Sequence, residues 1–321
     1  MRRALITGGA GFIGSNLADR LLADGVDVII YDDFRTGRRQ FIESALANGA
    51  RLVEGDVLDR WRLTGAMRGC DTVFHLQANA DVRFGLDHPQ RDVEQNLLTT
   101  STLLEAMREA SVSRIAFAST GSVYGEPETF PTPETCPFPI QTSLYGASKV
   151  AAEGLISAYS HGFGFTGVVF RFVSILGERY THGHVLDFYR SLREDPTKLR
   201  ILGDGKQEKS YLYVGDCVNG ILAGLDAVGE GEYQVFNLGT DETVIVDESA
   251  RIICDHLGVD PEFDHAGGKR GWAGDSPLIH LDCSKIRATG WKPELTIEQG
   301  IRRTLAWFDE NPWVVEELPV A

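Results

Sequence analysis

The stretch Thr7-Gly8-Gly9-Ala10-Gly11-Phe12-Ile13-Gly14 decides the reading of this chain. A short apolar run, Ala4-Leu5-Ile6, precedes it, and apolar residues at helical spacing follow from Ile13 to Leu22, closed by Asp24-Gly25. The order is strand, glycine turn, helix. The glycines allow a tight turn and a close backbone approach to a pyrophosphate, and the helix N-terminus offers free N–H groups to the anion. The spacing is GxxGxxG rather than GxGxxG. The next strand, Val26 to Tyr31, ends in Asp32-Asp33. An acid there binds ribose hydroxyls and disfavours a 2′-phosphate. Gly8, Gly11, Phe12, Ile13, Gly14, Asp32 and Asp33 therefore predict a dinucleotide site, for NAD rather than NADP.

Outward from this unit, Leu52-Val53, Thr72 to Leu76, Arg114 to Ser119 and Gly167 to Phe172 read as strands. Asn96 to Glu109 and Gly146 to Ser160 read as helices. Continuous apolar strands between helices predict an α/β fold of Rossmann type, a doubly wound parallel sheet. Pro127, Pro131, Pro133, Pro137 and Pro139 make residues 126–139 a loop. Beyond residue 173 the segments shorten and glycine and charge increase, which predicts a smaller α/β C-terminal domain for the substrate. Tyr211 to Val214 and Val235 to Leu238 look strand-like and could return to the first sheet. The division expected is 1–173 plus about 212–241 for the dinucleotide, and 174–211 plus about 242–321 for the substrate.

The 321 residues are 43% hydrophobic and carry a net charge of -15. A nucleic-acid footprint needs clustered cations, and no basic run exceeds a pair such as Arg38-Arg39 or Arg302-Arg303. No nucleic-acid partner is expected. Cys70, Cys136, Cys217, Cys254 and Cys283 form no CxxC, so reduced thiols in a cytoplasmic protein are expected. Met1-Arg2-Arg3 is followed by too short an apolar run for a signal peptide, and no stretch reaches a membrane span. His182 and His184 would share a face of an extended segment, but no cluster completes a metal site. Trp272 and Trp291 read as packing residues.

Tyr145-Gly146-Ala147-Ser148-Lys149 puts a phenol and an ammonium four residues apart, on one face of a helix start. A free tyrosine has a pKa of about 10. A neighbouring ammonium favours the phenolate and can draw that value toward neutrality.

With the glycine loop, this pattern resembles the extended short-chain dehydrogenase/reductase family, and within it the nucleotide-sugar epimerases. The resemblance includes Asp56-Val57, Phe74-His75-Leu76, Asn96, Ala118 to Gly125, Gly203-Asp204-Gly205 and Tyr211 to Val214. It implies that Tyr145 is the acid/base, that Lys149 tunes it and holds the nicotinamide ribose, and that Thr120 hydrogen-bonds the sugar hydroxyl. Asp56 and Val57 would flank adenine. Leu76, Gln77 and Ala78 would line the cofactor, although the family usually has Ala where Gln77 stands. Arg35, Thr36, Gly37, Asn96 and Ser119 belong to the same expected cofactor surface, and Val173 would lie beside the nicotinamide. Ser174 replaces an Asn that usually contacts the substrate diphosphate. A homodimer through the helices at 96–109 and 146–160 is usual in the family.

Family dehydratases carry Asp-Glu after the catalytic Thr, and related decarboxylases often have Glu at the second of these positions. This chain has Gly121-Ser122. C4 epimerisation through a 4-keto sugar remains. Residues 174–184 resemble the substrate loop of UDP-sugar 4-epimerases, and Arg270 to Asp275 their late diphosphate-binding stretch. Arg270 can offer a bidentate fork to phosphate. Arg179 and Ser122 map beside the C5–C6 end of the sugar, where they could hold a carboxylate. UDP-glucuronate is therefore expected slightly ahead of UDP-glucose. The alternative of a non-catalytic NAD sensor is disfavoured, because Thr120, Tyr145 and Lys149 are all present.

Overall fold

The computed structural model describes residues 1–79, 84–137, 140–271, 276 and 278–317. Trp272 to Asp275 and Pro139, singled out above, lie outside them. The first half alternates β1 (Arg3–Thr7), α1 (Phe12–Ala23), β2 (Asp27–Asp32), α2 (Arg39–Ala47), β3 (Arg51–Glu54), α3 (Arg60–Met67) and β4 (Thr72–His75). A π-helix, Val93–Leu98, runs into an α-helix, Thr99–Ala110. Then come β5 (Arg114–Thr120), the helix Leu144–Phe163 and β6 (Thr166–Phe172). With the strand Tyr233–Leu238, these make a seven-stranded sheet ordered 233–238, β6, β5, β4, β1, β2, β3. Every pairing in it is parallel.

Strand periodicity explains the layering. Ala4, Ile6 and Ile30 point to one face, where Leu17, Ala18 and Leu21 of α1, Ile42 of α2 and Ile221 and Leu225 of the helix Val214–Asp226 cover them. Leu5, Ile29 and Tyr31 point to the other, against Leu63 and Met67 of α3, Leu103, Leu104 and Met107, and Ala152 and Ile156. Such sheets are hydrophobic on both sides, and β6 is buried at every residue. The chain order reverses between β1 and β4, which leaves a crevice at the carboxyl ends of the strands.

Two expectations need correction. Tyr211–Tyr213 does not join this sheet; it pairs in parallel with Ser174–Leu176. Val214, read as its continuation, begins the helix Val214–Asp226. The region beyond 173 also contains three substantial helices, His184–Glu194, Val246–Leu257 and Ile297–Glu310. Their apolar faces meet around Tyr189, Ile253, Ile301 and Phe308 in a separate core. Trp291 is buried and donates from Nε1 to the Asp216 carbonyl (3.0 Å). No helix among the described residues is long and apolar enough to cross a membrane.

Candidate active site

The glycine turn works by close approach. Gly8 has φ +67°, donates to the Tyr31 carbonyl (3.0 Å), and would place a Cβ 2.8 Å from Gln77 N and Cα. A Cβ on Gly14 would overlap the Gly8 carbonyl oxygen and come within 2.8 Å of Gly9 Cα. Gly11 caps α1 without a side-chain hydrogen bond, and no acid stands in the first turn. The N–H groups of Phe12, Ile13 and Gly14 have no intrahelical acceptor. The result is an anion-binding turn.

Asp32 ends β2 and is buried. Its Oδ2 accepts from Ala10 N–H (2.9 Å) and its Oδ1 from Phe34 N–H (2.8 Å), and burial pushes its carboxyl pKa up. Gly37 packs on it, for a Cβ there would meet Asp32 Oδ1 at 2.7 Å. Arg35 is held between Asp33 (3.1 Å) and Asp56 (2.7 Å), and Thr36 beside it is exposed. Two carboxylates neutralise this guanidinium, so it is a poor partner for a 2′-phosphate. Val57 is buried next to Asp56, whose carbonyl accepts from the Tyr31 hydroxyl (2.9 Å).

The wall after β4 is polar. His75 lies between the hydroxyls of Thr7 (Nδ1, 2.7 Å) and Thr100 (Nε2, 3.1 Å), and burial, then the Lys149 charge, pushes its pKa down to about 3. Leu76 N–H donates to the Thr7 carbonyl (3.2 Å) and Ala78 follows Gln77 along this edge. Gln77 Nε2 donates to Gln95 Oε1 (2.7 Å) on the π-helix, a helix type frequent at functional sites. Asn96, one residue on, accepts from Asn79 N–H (3.0 Å) and donates to the Ser148 hydroxyl (2.9 Å), which donates to the Tyr145 carbonyl (2.8 Å).

Thr120 ends β5, and Tyr145 and Lys149 lie on the first turns of the helix Leu144–Phe163. Ser143 caps that helix, its hydroxyl accepting from Gly146 N–H (3.0 Å). Thr120 lies beside Tyr145 and acts to lower the pKa of its phenol. Thr120 Oγ1 also donates to Ser122 Oγ (3.2 Å). Lys149 is buried, donates to the Ala118 carbonyl (2.8 Å), and has its Nζ 5.9 Å from the Tyr145 ring centre. Burial, then the Asp92 charge, pushes the Tyr145 phenol up to about 12, and burial pushes Lys149 down to about 7. This differs from the expected effect of a lysine neighbour. In the protein alone, desolvation is the largest cause of both shifts.

Behind Lys149, Glu153 forms a buried ion pair with Arg171 (2.7 Å) and accepts from the Ser119 hydroxyl. Arg171 also donates to the Tyr124 hydroxyl (2.8 Å), which donates to Asn237 Oδ1 (2.8 Å). Sequence reasoning missed Glu153. Its signal was the spacing to Lys149, one further helical turn on the same face. Val173 is buried, and its N–H donates to the Leu238 carbonyl (3.0 Å).

On the substrate side, Ser174 is exposed at a strand start and Gly121 is buried. Arg179 has φ 72° and donates from Nη2 to Asp19 of α1 (2.6 Å), while its Nη1 is buried without a partner. Arg270 donates to Glu126 Oε1 (2.6 Å), just after the catalytic turn. Lys209 was also missed; it donates to the Ser276 carbonyl, and Ser276 Oγ reaches the Gly125 carbonyl (3.5 Å). Its two-residue strand, Glu208–Lys209, carries no pattern that a sequence reading can detect. His184 is occupied by Ser249 (2.7 Å) and Tyr211 (3.2 Å).

Residues 4–239 match the model of the NAD dependent epimerase/dehydratase family. The chain belongs to that family. It is 34% identical over 317 residues to the UDP-glucose 4-epimerase of Mycolicibacterium smegmatis, with 95% of this chain and 98% of that one covered. It is 33% identical over 315 residues to a putative UDP-glucose 4-epimerase of Methanocaldococcus jannaschii, covering 96% and 98%. Among solved structures it is similar to the Thermus thermophilus UDP-glucose 4-epimerase in complex with NAD, at TM-score 0.85 and 33% identity, covering 96% and 99%.

As a member of this epimerase family, the chain is an NAD-dependent enzyme of nucleotide-sugar metabolism. Its residues fit the cofactor on two structural grounds. Gly8 and Gly14 of the turn admit no Cβ, and a buried acceptor on the adjoining residue, Gln77 Oε1, has no donor among the described residues.

Proposed function

We propose that this chain catalyses the reversible C4 epimerisation of a UDP-hexose, with UDP-glucose and UDP-galactose as the pair. The carrying observation is the grouping of Thr120 and Tyr145 beside buried Lys149, at the crevice where the strand order reverses. Bound NAD supplies a hydride acceptor and, when oxidised, a positive charge. Tyr145 takes the O4 proton in the oxidative half and returns it in the reductive half. A phenol pushed up to about 12 is a ready acid for the return, and a nearby cation favours the phenolate needed for the removal. Thr120 orients the same hydroxyl, and the Lys149 ammonium binds the ribose. The segments 174–211 and about 242–321 hold the UDP moiety, with Ser174, Arg270 and Lys209 on that side.

Gly121-Ser122 offers no acid–base pair for dehydration. The sequence ranked UDP-glucuronate first; the Arg179–Asp19 pair reverses the order, because a carboxylate already neutralises that guanidinium. The second reading retains UDP-glucuronate on one observation, the unpartnered Arg179 Nη1. A homodimer in a reducing compartment accords with exposed Leu98 and Phe163 on the two expected helices and with five free thiols.

The test is a product assay by NMR, with purified protein, UDP-glucose or UDP-glucuronate, and no added NAD. UDP-galactose formation supports the proposal. Conversion of UDP-glucuronate alone transfers it to the second reading. No conversion of either, with NAD added, removes both.

A further inference from the structure

We infer that the Gln77 side-chain carbonyl is a hydrogen-bond acceptor for the nicotinamide half of the bound dinucleotide. This rests on the reading of the site as an NAD site and adds a contact to it.

The position of Gln77 is fixed by its backbone. Gly8 approaches so closely that a Cβ there would sit 2.8 Å from Gln77 N and Cα, so Gln77 adjoins the phosphate turn. Its side chain is fixed at the other end. The amide nitrogen donates to Gln95 Oε1 (2.7 Å), and Gln95 is itself buried. With the donor end committed, the carbonyl end must turn elsewhere. Gln77 Oε1 is buried there and has no hydrogen-bond partner among the described residues. Leaving a buried acceptor unmade is unfavourable, and native proteins seldom tolerate it without a reason. An alanine at this position would carry no such cost. A donor that arrives with the ligand removes it.

Sheet order identifies which part of the ligand supplies that donor. Asp32 ends β2, Asp56 follows β3, and Thr120 ends β5. Across the sheet the strands run β5, β4, β1, β2, β3. Adenosine at the β2–β3 side and the reacting ring near β5 place the β4 end, and Gln77, under the far half of the dinucleotide. Phosphate oxygens accept and cannot donate. The available donors in that half are the ribose hydroxyls and the carboxamide N–H.

Gln77→Met keeps length and removes both polar ends. Its effect is read by calorimetry on protein stripped of cofactor, titrated with ADP, ADP-ribose and NAD, and by urea unfolding of the same stripped protein. We expect NAD affinity to fall by about tenfold, as for one lost hydrogen bond. The ADP affinity should hold, while the unfolding midpoint of the stripped protein reports what loss of the Gln77–Gln95 bond costs by itself. An equal fall for ADP-ribose assigns the donor to a ribose hydroxyl; a fall for NAD alone assigns it to the carboxamide. Unchanged NAD affinity or a matching fall for ADP overturns the inference. Gln77→Glu, which keeps the acceptor oxygens, should retain more NAD affinity than Gln77→Met; the reverse order also overturns it. A wild-type chain that binds neither NAD nor ADP would instead remove the cofactor reading itself.

Discussion

Glu153→Ala should be among the most damaging single changes outside the reacting groups. Arg171 and Glu153 are 3% and 2% exposed, joined Nη2 to Oε2 at 2.7 Å and Nε to Oε1 at 3.1 Å. Burial alone disfavours the charged guanidinium, and Glu153 more than offsets it, so the arginine is held charged. After truncation the partners that remain include the Tyr124 hydroxyl and the Glu134 carbonyl, which accept hydrogen bonds but carry no charge. Removing one partner of a buried pair costs about 3–5 kcal/mol. At about 1.4 kcal/mol per decade, that multiplies the unfolded population by two to three and a half orders of magnitude. Arg171→Met should cost a similar amount. The double variant Glu153→Leu with Arg171→Met buries no charge and should recover most of the loss. The assay is urea unfolding of these proteins and of Glu153→Leu, which with wild type, Arg171→Met and the double variant closes a double-mutant cycle. Single losses below about 1 kcal/mol, or losses that simply add in the double variant, would refute the reasoning.

Three shorter tests accompany it. Gly14→Ala sets a Cβ against the Gly8 carbonyl and Gly9 Cα, and an overpacking cost of about 1–3 kcal/mol should weaken NAD binding some 5- to 150-fold by calorimetry; wild-type affinity would mean that the turn is slack. Tyr145→Phe should lower kcat by about 10²- to 10⁴-fold while NAD content, measured after denaturation, stays level; a near-normal rate would remove the acid/base assignment. His75 has an ordinary pKa of 6.5, depressed to about 3 in the fold. The unfolded chain therefore takes up this proton first, and stability is lost as pH falls below 6.5, by about 1.4 kcal/mol per unit. His75→Gln should flatten the acid limb relative to wild type, and an identical slope would exclude His75 as its source.

What the sequence disclosed follows from how local each signal is. The β1–turn–α1 unit depends on contiguous residues, and the Tyr145–Lys149 pair on one helical turn, so both could be read directly. The helices α2 and α3 escaped notice because each is short and opens on charged residues, Arg39 and Arg60, which blur the apolar stripe. The pairing of Tyr211–Tyr213 with Ser174–Leu176 joins segments far apart in the chain, and a three-residue strand does not show which sheet will take it. Arg179 was legible as a cation, but its partner was not. Asp19 lies 160 positions away, and the left-handed backbone that aims the side chain is unusual for arginine. The phenol's direction of shift needed the packing around it, since adjacency to an ammonium and loss of water act in opposite senses.

Helix α1 serves two guests at once. Its opening turn faces the phosphates of the cofactor, while further along Asn16 bonds the Glu178 carbonyl (3.1 Å), Asp19 pairs with Arg179 (2.6 Å) and the Phe12 ring meets Tyr180 edge-on. Glu178 is braced in turn by Tyr213 (2.8 Å) and Arg303 (2.7 Å). On the function proposed above, one rod carries the coenzyme at its tip and the candidate sugar loop along its flank. Were sugar binding to shift this loop against the rod, reciprocity would make its effect on the coenzyme equal to the coenzyme's effect on the sugar. A catalyst that hands hydride out and takes it back must keep its coenzyme through the exchange, and a common lever ties that retention to occupancy of the sugar cleft.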